Sequence, residues 1–313
     1  MITDWHSHWI PKALEPEVSR VRPFPVAPEF WDVEARIAYM ETTGIGRQVI
    51  SWPLPFGLDI QLPLAEVTSI YRRYNDALGA IIRAHPSRFA GLAAVPTGSA
   101  SAAASELRRA HRDAGLIGAI LPVDAFLTRE GIKAFEPLFE AAQDLRAHLY
   151  IHPGPVGLAI AGHQPIDFLT VDSGNARWLL DAGTRLAAAA LTLESPGALE
   201  NYPGVTVHVA MLAGHLPWIA ETLSERARKA GHPVEPPSPL RRIYVDTGIL
   251  TPGTETLAVA ARALGEDRII FGSDFPQFSS RKPVDEFVAS ALPQDIREKI
   301  LRGNSKALLA RRP

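Results

Sequence analysis

The segment Asp4-Trp5-His6-Ser7-His8 sets two imidazoles one residue apart, directly after a short apolar run. In an extended strand, side chains at i and i+2 share a face, so His6 and His8 project toward one point. Two imidazoles are half of a metal site at best, and ordinary half-buried histidines would read the same, so further donors must come from elsewhere. The chain offers His152 in YIHPG and Asp274 in IIFGSDFP, each at the carboxyl end of an apolar run. Singly, His152 reads equally as a strand end before proline, and Asp274 as a turn acceptor. Jointly they complete a set of three nitrogens and one carboxylate, which suits zinc, iron or manganese better than magnesium or calcium. With one position left open, such a centre polarises a carbonyl or lowers the pKa of bound water.

Donors so far apart in sequence need a scaffold that gathers strand ends. Short β-branched runs alternate with longer Ala-, Leu- and Arg-rich stretches at helical spacing. The predicted strands are Ile2 to His6, Gln48 to Trp52, Gly91 to Val95, Gly118 to Leu121, Leu149 to His152, Val205 to Met211, Ile243 to Thr247 and Ile269 to Gly272. The predicted helices are Val33 to Thr43, Glu66 to His85, Ala100 to Ala114, Ile132 to Leu145, Asn175 to Leu193, Leu216 to Ala230, Thr254 to Leu264 and segments after Lys282. This α/β alternation is the count of a (β/α)8 barrel, a TIM barrel, with a doubly wound open sheet as its rival. A barrel would bring His6, His8, His152 and Asp274 to one mouth. Pro11 to Phe30 and Pro53 to Pro63 are expected to be irregular segments above that mouth, and the proline-rich His232 to Pro239 a loop within one domain spanning residues 1–313.

Composition excludes much else. The 313 residues are 46% hydrophobic and 21% charged, the balance of a globular protein. A net charge of −2 gives no basic field for nucleic acid or anionic lipid, so small-molecule chemistry is the expectation. With no cysteine, thiolate ligands, disulfides and cysteine nucleophiles are ruled out. No basic stretch followed by an apolar run opens the chain, and no apolar segment nears membrane-spanning length, so a cytoplasmic location is expected.

DWHSHWIP, FWDVEARIAYMETTGI, HPSRFAGLAAVP, YIHPG, ENYPGV and DRIIFGSDFP together give the chain a resemblance to the amidohydrolase-2 family, which includes aminocarboxymuconate-semialdehyde decarboxylase and related aromatic-acid decarboxylases, hydrolases and hydratases. The resemblance spans almost the whole chain. It implies a (β/α)8 barrel with one divalent metal, zinc first and manganese second, on residues matching His6, His8, His152 and Asp274, and it favours a homodimer. The family's sixth strand normally ends in H-x-G-G-x-x-P, whose histidine serves as acid or base. Here the segment is VTVHVAMLAGHLPW, and Met211 holds that position. A thioether transfers no proton at neutral pH.

Asp274 is therefore the expected proton acceptor, with His215, just past the sixth strand, as a second catalytic candidate. His208, at an odd offset from Met211, is expected to turn toward the helix layer. Trp9, Trp52 and Phe56 are candidates to stack on a flat ring, although such aromatics also simply close cores. Arg22, or its neighbour Arg20, is a candidate to pair with a substrate carboxylate, as an arginine of that region does in the family. His163 hangs over the expected mouth, Met211 faces the substrate, and Asp246 in YVDTG is read as a structural partner with a supporting role behind the ligands. The functional expectation is a metal-dependent lyase or hydrolase for a small aromatic or unsaturated carboxylic acid. The alternatives are a binding or regulatory protein that lost turnover with the histidine, or a biosynthetic isomerase or cyclase.

Overall fold

Eight strand positions follow one another around a parallel sheet: β1 (Ile2–His8), β2 (Ile45–Ser51), β3 (Phe89–Gly91, resuming at Ala93–Ala94), β4 (Gly118–Pro122), β5 (His148–His152), β6 (Thr206–Val209), β7 (Ile243–Asp246) and β8 (Ile269–Ile270). The computed structural model describes residues 1–22, 26–161, 173–231, 240–248, 255–280 and 282–310. At Leu92 the two parts of β3 are bridged by its amide, which donates to the Ile50 carbonyl at 2.9 Å. The sheet returns to its start. Trp5 N donates to Phe271 O at 2.9 Å, Asp274 N donates to His6 O at 2.8 Å, and Ser7 pairs in parallel with Phe275. Closure on β1 decides for the barrel over the open sheet, because an open sheet leaves both edges unpaired.

Local chemistry explains the helices around it. Asp32 caps α1 (Val33–Thr43) by accepting from Ala35 N, and Gly44 ends it in the left-handed conformation that glycine tolerates. The long α2 (Leu64–Ala84) buries Val67, Ile70, Tyr71, Tyr74 and Leu78 at i, i+3, i+4 spacing. Ser99 caps α3 (Ala100–Ala114), which ends at Gly115 as predicted. The single helix expected over Ile132 to Leu145 is divided at Phe135, where Pro137 opens α4 (Glu136–Asp144), since proline is accommodated only in a first turn. Then come α5 (Gly174–Glu194), α6 (Leu216–Ala230) and α7 (Glu255–Ala260), with Thr254 outside the described residues.

The segments expected to be irregular carry short helices at Glu15–Val21 and Leu58–Gln61, and the predicted loop at residues 232–239 lies outside the described residues. No described helix is long and apolar enough to cross a membrane.

The seam between β1 and β8 is held by a buried carboxylate. Asp4 Oδ1 accepts from His6 N at 3.1 Å and Ser273 N at 2.9 Å, and Oδ2 accepts from Gln48 Nε2 at 2.8 Å and Ser273 Oγ at 2.6 Å. Behind it, buried Arg36 donates to Gln48 Oε1 at 2.9 Å and to the His8 carbonyl, while stacking on Phe275 at 4.7 Å. Asp4→Ala would strand several of these donors without water, each costing about 1–3 kcal/mol. We expect it to lower unfolding free energy by about 3 kcal/mol or more, read from the urea midpoint. An unchanged midpoint would remove Asp4 from this role.

Candidate metal centre and active site

β1 and β5 deliver the imidazoles. His6 and His8 leave β1 at the carboxyl end, and His152 ends β5, in register with Pro122 of β4. Their candidate ligand nitrogens all lie within 4.8 Å of one another, and all three residues are buried. His6 Nε2 is 3.2 Å from His152 Nε2 and 3.3 Å from Asp274 Oδ1, which is 3.5 Å from His8 Nε2. Four donors about 2.0–2.1 Å from one tetrahedral ion stand roughly 3.3 Å apart, so the arrangement fits a single divalent cation.

The FGSDFP motif places the carboxylate. A Cβ on Gly272 would lie 2.6 Å from His6 Cβ, so only glycine lets the strand pass so close. Ser273 is fixed on Asp4, and Asp274 then takes a left-handed φ of 58°, uncommon for a non-glycine residue and characteristic of functional sites.

The outer sides of the imidazoles are also held. His6 Nδ1 donates to Asp246 Oδ1 at 3.0 Å, which leaves Nε2 as the atom that could meet a cation. His8 Nδ1 bonds Ser51 Oγ at 3.2 Å, and His152 Nδ1 donates to the Pro153 carbonyl at 2.9 Å. Burial alone would push His6 down, but the charges of Asp246 and Asp274 reverse this and raise it to about 10. Burial, then the neighbouring His6, push His152 down to about 3. His8 is lowered by burial, then by His152 and His6. Burial also opposes the charge on Asp246, but His6 and His208 outweigh it and hold its carboxyl well below the usual range.

Above this cluster opens a cleft of about 1030 Å³ whose walls include His8, His152, Asp274, Met211, Arg22 and Phe56. The Arg22 guanidinium lies 4.5 Å from the Phe56 ring centroid, and its Nη1 is buried with no acceptor among the described residues. Trp9 and Trp52, expected to meet substrate, are core residues at 4% and 0% exposure and are absent from the cleft walls. Trp9 donates to the Trp31 carbonyl, and Trp52 packs edge-on against Tyr71 and Tyr74, because α2 brings its tyrosines beneath them. Arg20 pairs with Glu66 instead.

His215 is likewise placed away from the cleft walls. It precedes α6 with its ring against α5, so that a Cβ on Gly183 would lie 2.5 Å from His215 Nε2. His163 lies outside the described residues.

His208 corrects another expectation. It contacts Tyr150 of β5, Asp246 of β7 and Trp5 of β1, a set that only the barrel interior brings together. The face argument fails because β6 ends at Val209 and residues Met211 to Ala213 run through left-handed φ of 53 to 58°, which breaks the alternation. That turn still puts Met211 in the cleft wall while its amide donates to Asp246 Oδ1 at 3.1 Å.

The sequence profile of the amidohydrolase family matches residues 3–311. The chain belongs to the amidohydrolase family. Among curated amidohydrolase relatives, gamma-resorcylate decarboxylase of Polaromonas sp. (strain JS666) is 28% identical over 294 residues, covering 88% of this chain and 86% of that protein. The 2-amino-3-carboxymuconate-6-semialdehyde decarboxylase of Dictyostelium discoideum is 23% identical over 275 residues, covering 86% and 72%. A crystal structure of 2,6-dihydroxybenzoate decarboxylase with 2,6-dihydroxybenzoate superposes at a TM-score of 0.76, with 23% identity and 99% of each chain covered. The dihydroxybenzoic acid decarboxylase of Polaromonas sp. JS666, with manganese and 2-nitroresorcinol bound, gives 0.74, with 22% identity and 99% and 96% covered. These likenesses bear out the barrel fold.

The sequence reading passed over the clasp residue Asp4 and over His148 of β5, whose Nε2 lies 2.6 Å from His208 Nδ1. His148 was detectable, since 148, 150 and 152 share one strand face.

With its pKa near 10, His6 carries a proton at neutral pH in chelator-treated protein, whereas a ligand imidazole must be neutral. Raising pH removes the competing proton, so zinc affinity should rise about tenfold per pH unit between about 7 and 9. Calorimetry in buffers of different ionisation enthalpy should record about one proton released per metal at neutral pH. A flat profile contradicts this. His152→Ala should release the metal on dialysis.

Proposed function

We propose that the chain is a metal-dependent carbon–carbon lyase, a decarboxylase of a small hydroxylated aromatic acid. One observation carries this reading: a single cleft combines the His6, His8, His152 and Asp274 donor set with a buried guanidinium nitrogen that lacks an acceptor among the described residues. The relatives named above, decarboxylases by name, support it.

Arg22, its plane held over Phe56, binds the substrate carboxylate. That pairing lasts only until the carbon–carbon bond breaks, so it serves binding more than the barrier. Pro53, Val123, Pro155 and Met211 give the ring an apolar wall and exclude water. A divalent cation held by the four donors supplies a Lewis acid that polarises a substrate oxygen. Asp274 accepts a proton from a substrate hydroxyl and returns it to the ring carbon. The bond pair stays on that carbon and carbon dioxide leaves, so one proton is taken up for each carboxylate lost.

Zinc is the first candidate metal and manganese the second, with the manganese-bound relative in support. Exposed Trp178 and Leu179 on α5 support a homodimer, and we assign the chain to the cytoplasm as a single domain without nucleic-acid or membrane partners.

Protein loaded with zinc or manganese should release carbon dioxide from dihydroxybenzoates, monitored by loss of the acid's absorbance. Arg22→Ala should raise KM about 10- to 100-fold with a small change in kcat, the cost of about 1.5–3 kcal/mol for a hydrogen bond to a charged group. A parent chain that binds these acids without turnover, and gains it on Met211→His, would replace this reading with that of a binding protein.

A further inference from the structure

Beneath the ligands, the barrel interior holds a second set of histidines that the chemistry above does not use. His208 Nε2 lies 3.4 Å from Asp246 Oδ2, His208 Nδ1 lies 2.6 Å from His148 Nε2, and His148 Nδ1 lies 2.8 Å from Thr206 Oγ1. His148 and His208 are fully buried and stacked at 4.8 Å, His208 lies flat on Tyr150 at 3.9 Å, and Trp5 packs on His148 at 4.8 Å. The rings are therefore fixed by packing.

The direction of the contacts follows from inventory. The His208–Asp246 contact is at ion-pair distance without hydrogen-bond geometry, and since a carboxylate only accepts, His208 Nε2 is the atom that carries a proton toward it. With its proton on Nε2, His208 presents Nδ1 as an acceptor to His148 Nε2–H. His148 Nδ1 is left to accept from the Thr206 hydroxyl. With the protons so placed, each donor points the same way, toward Asp246. Its other oxygen takes the His6 Nδ1–H and the Met211 amide.

We propose that Thr206, His148 and His208 form a column of buried polar contacts that positions Asp246, and through it fixes His6 with its Nε2 toward the cleft. His208 and His148 are positioning residues. The proposal rests on the metal-centre reading above and extends it to residues that touch neither metal nor substrate.

The test is zinc affinity of chelator-treated protein by competition with a fluorescent chelator, together with the visible absorption spectrum of the cobalt(II)-loaded form. His208→Phe keeps the stack on Tyr150 but removes the donor to Asp246, and should weaken affinity about 10- to 100-fold. It should also alter the cobalt bands. His208→Gln, which restores an N–H toward Asp246, should recover most of both, whereas a purely structural loss would not be rescued. Thr206→Val, at the far end, should act in the same direction and more weakly. Parent-like affinity and spectrum in His208→Phe, with normal parent binding, would overturn the column alone. No zinc binding by the parent would overturn the metal centre and the column with it.

Discussion

The carboxylate of Asp4 is the constraint on which the mouth of the barrel depends. Its two oxygens join β1, β2 and the loop after β8, and those are the pieces that must agree for His6, His8 and Asp274 to meet. A parallel barrel closes only if its last strand finds its first in one register. The hydrophobic core supplies no such register here, because β8 is two residues long. A buried polar clasp does so instead, since its donors lose more when mispaired than apolar contacts do. Arg36 extends the clasp to the His8 carbonyl, so the strand that carries two imidazoles is held on both sides.

Packing three imidazoles into one buried pocket raises an electrostatic problem that the surroundings solve unequally. His8 and His152 lie where burial and neighbouring histidines, His6 among them, disfavour charge, so both are held below the usual imidazole range. His6 alone faces two carboxylates. A cation entering the pocket thus meets carboxylate charge half offset by one histidine proton, and exchanges with that proton. The buried ionic groups are tolerable because each has its partner within the cluster.

Much of this was legible in the sequence. The i, i+2 spacing of His6 and His8, the proline after His152 and the GSD turn each state a local geometry, and closure does the gathering. The bounds Val33 to Thr43 and Ala100 to Ala114 hold because Asp32, Gly44, Ser99 and Gly115 close those helices by local chemistry that tertiary context leaves untouched. What failed did so where tertiary context overrode a local pattern. His208 was assigned outward by counting back from Met211 across a backbone that is no longer extended. Trp9 and Trp52 were drawn to the mouth by their position after strands, but two tyrosines of α2, far along the chain, close over them. Asp4 could not be told from a surface aspartate, because its four partners come from three regions that only closure unites.

The left-handed turn at Met211 to Ala213 costs about 1–2 kcal/mol per residue for side chains with a Cβ. In return it splits the duties of one position. The amide of residue 211 anchors Asp246, and any amino acid but proline supplies that amide, while the side chain points into the cleft. The scaffold behind the ion is thereby insulated from the identity of the group in front of it. A change of side chain at residue 211 would leave that foundation in place.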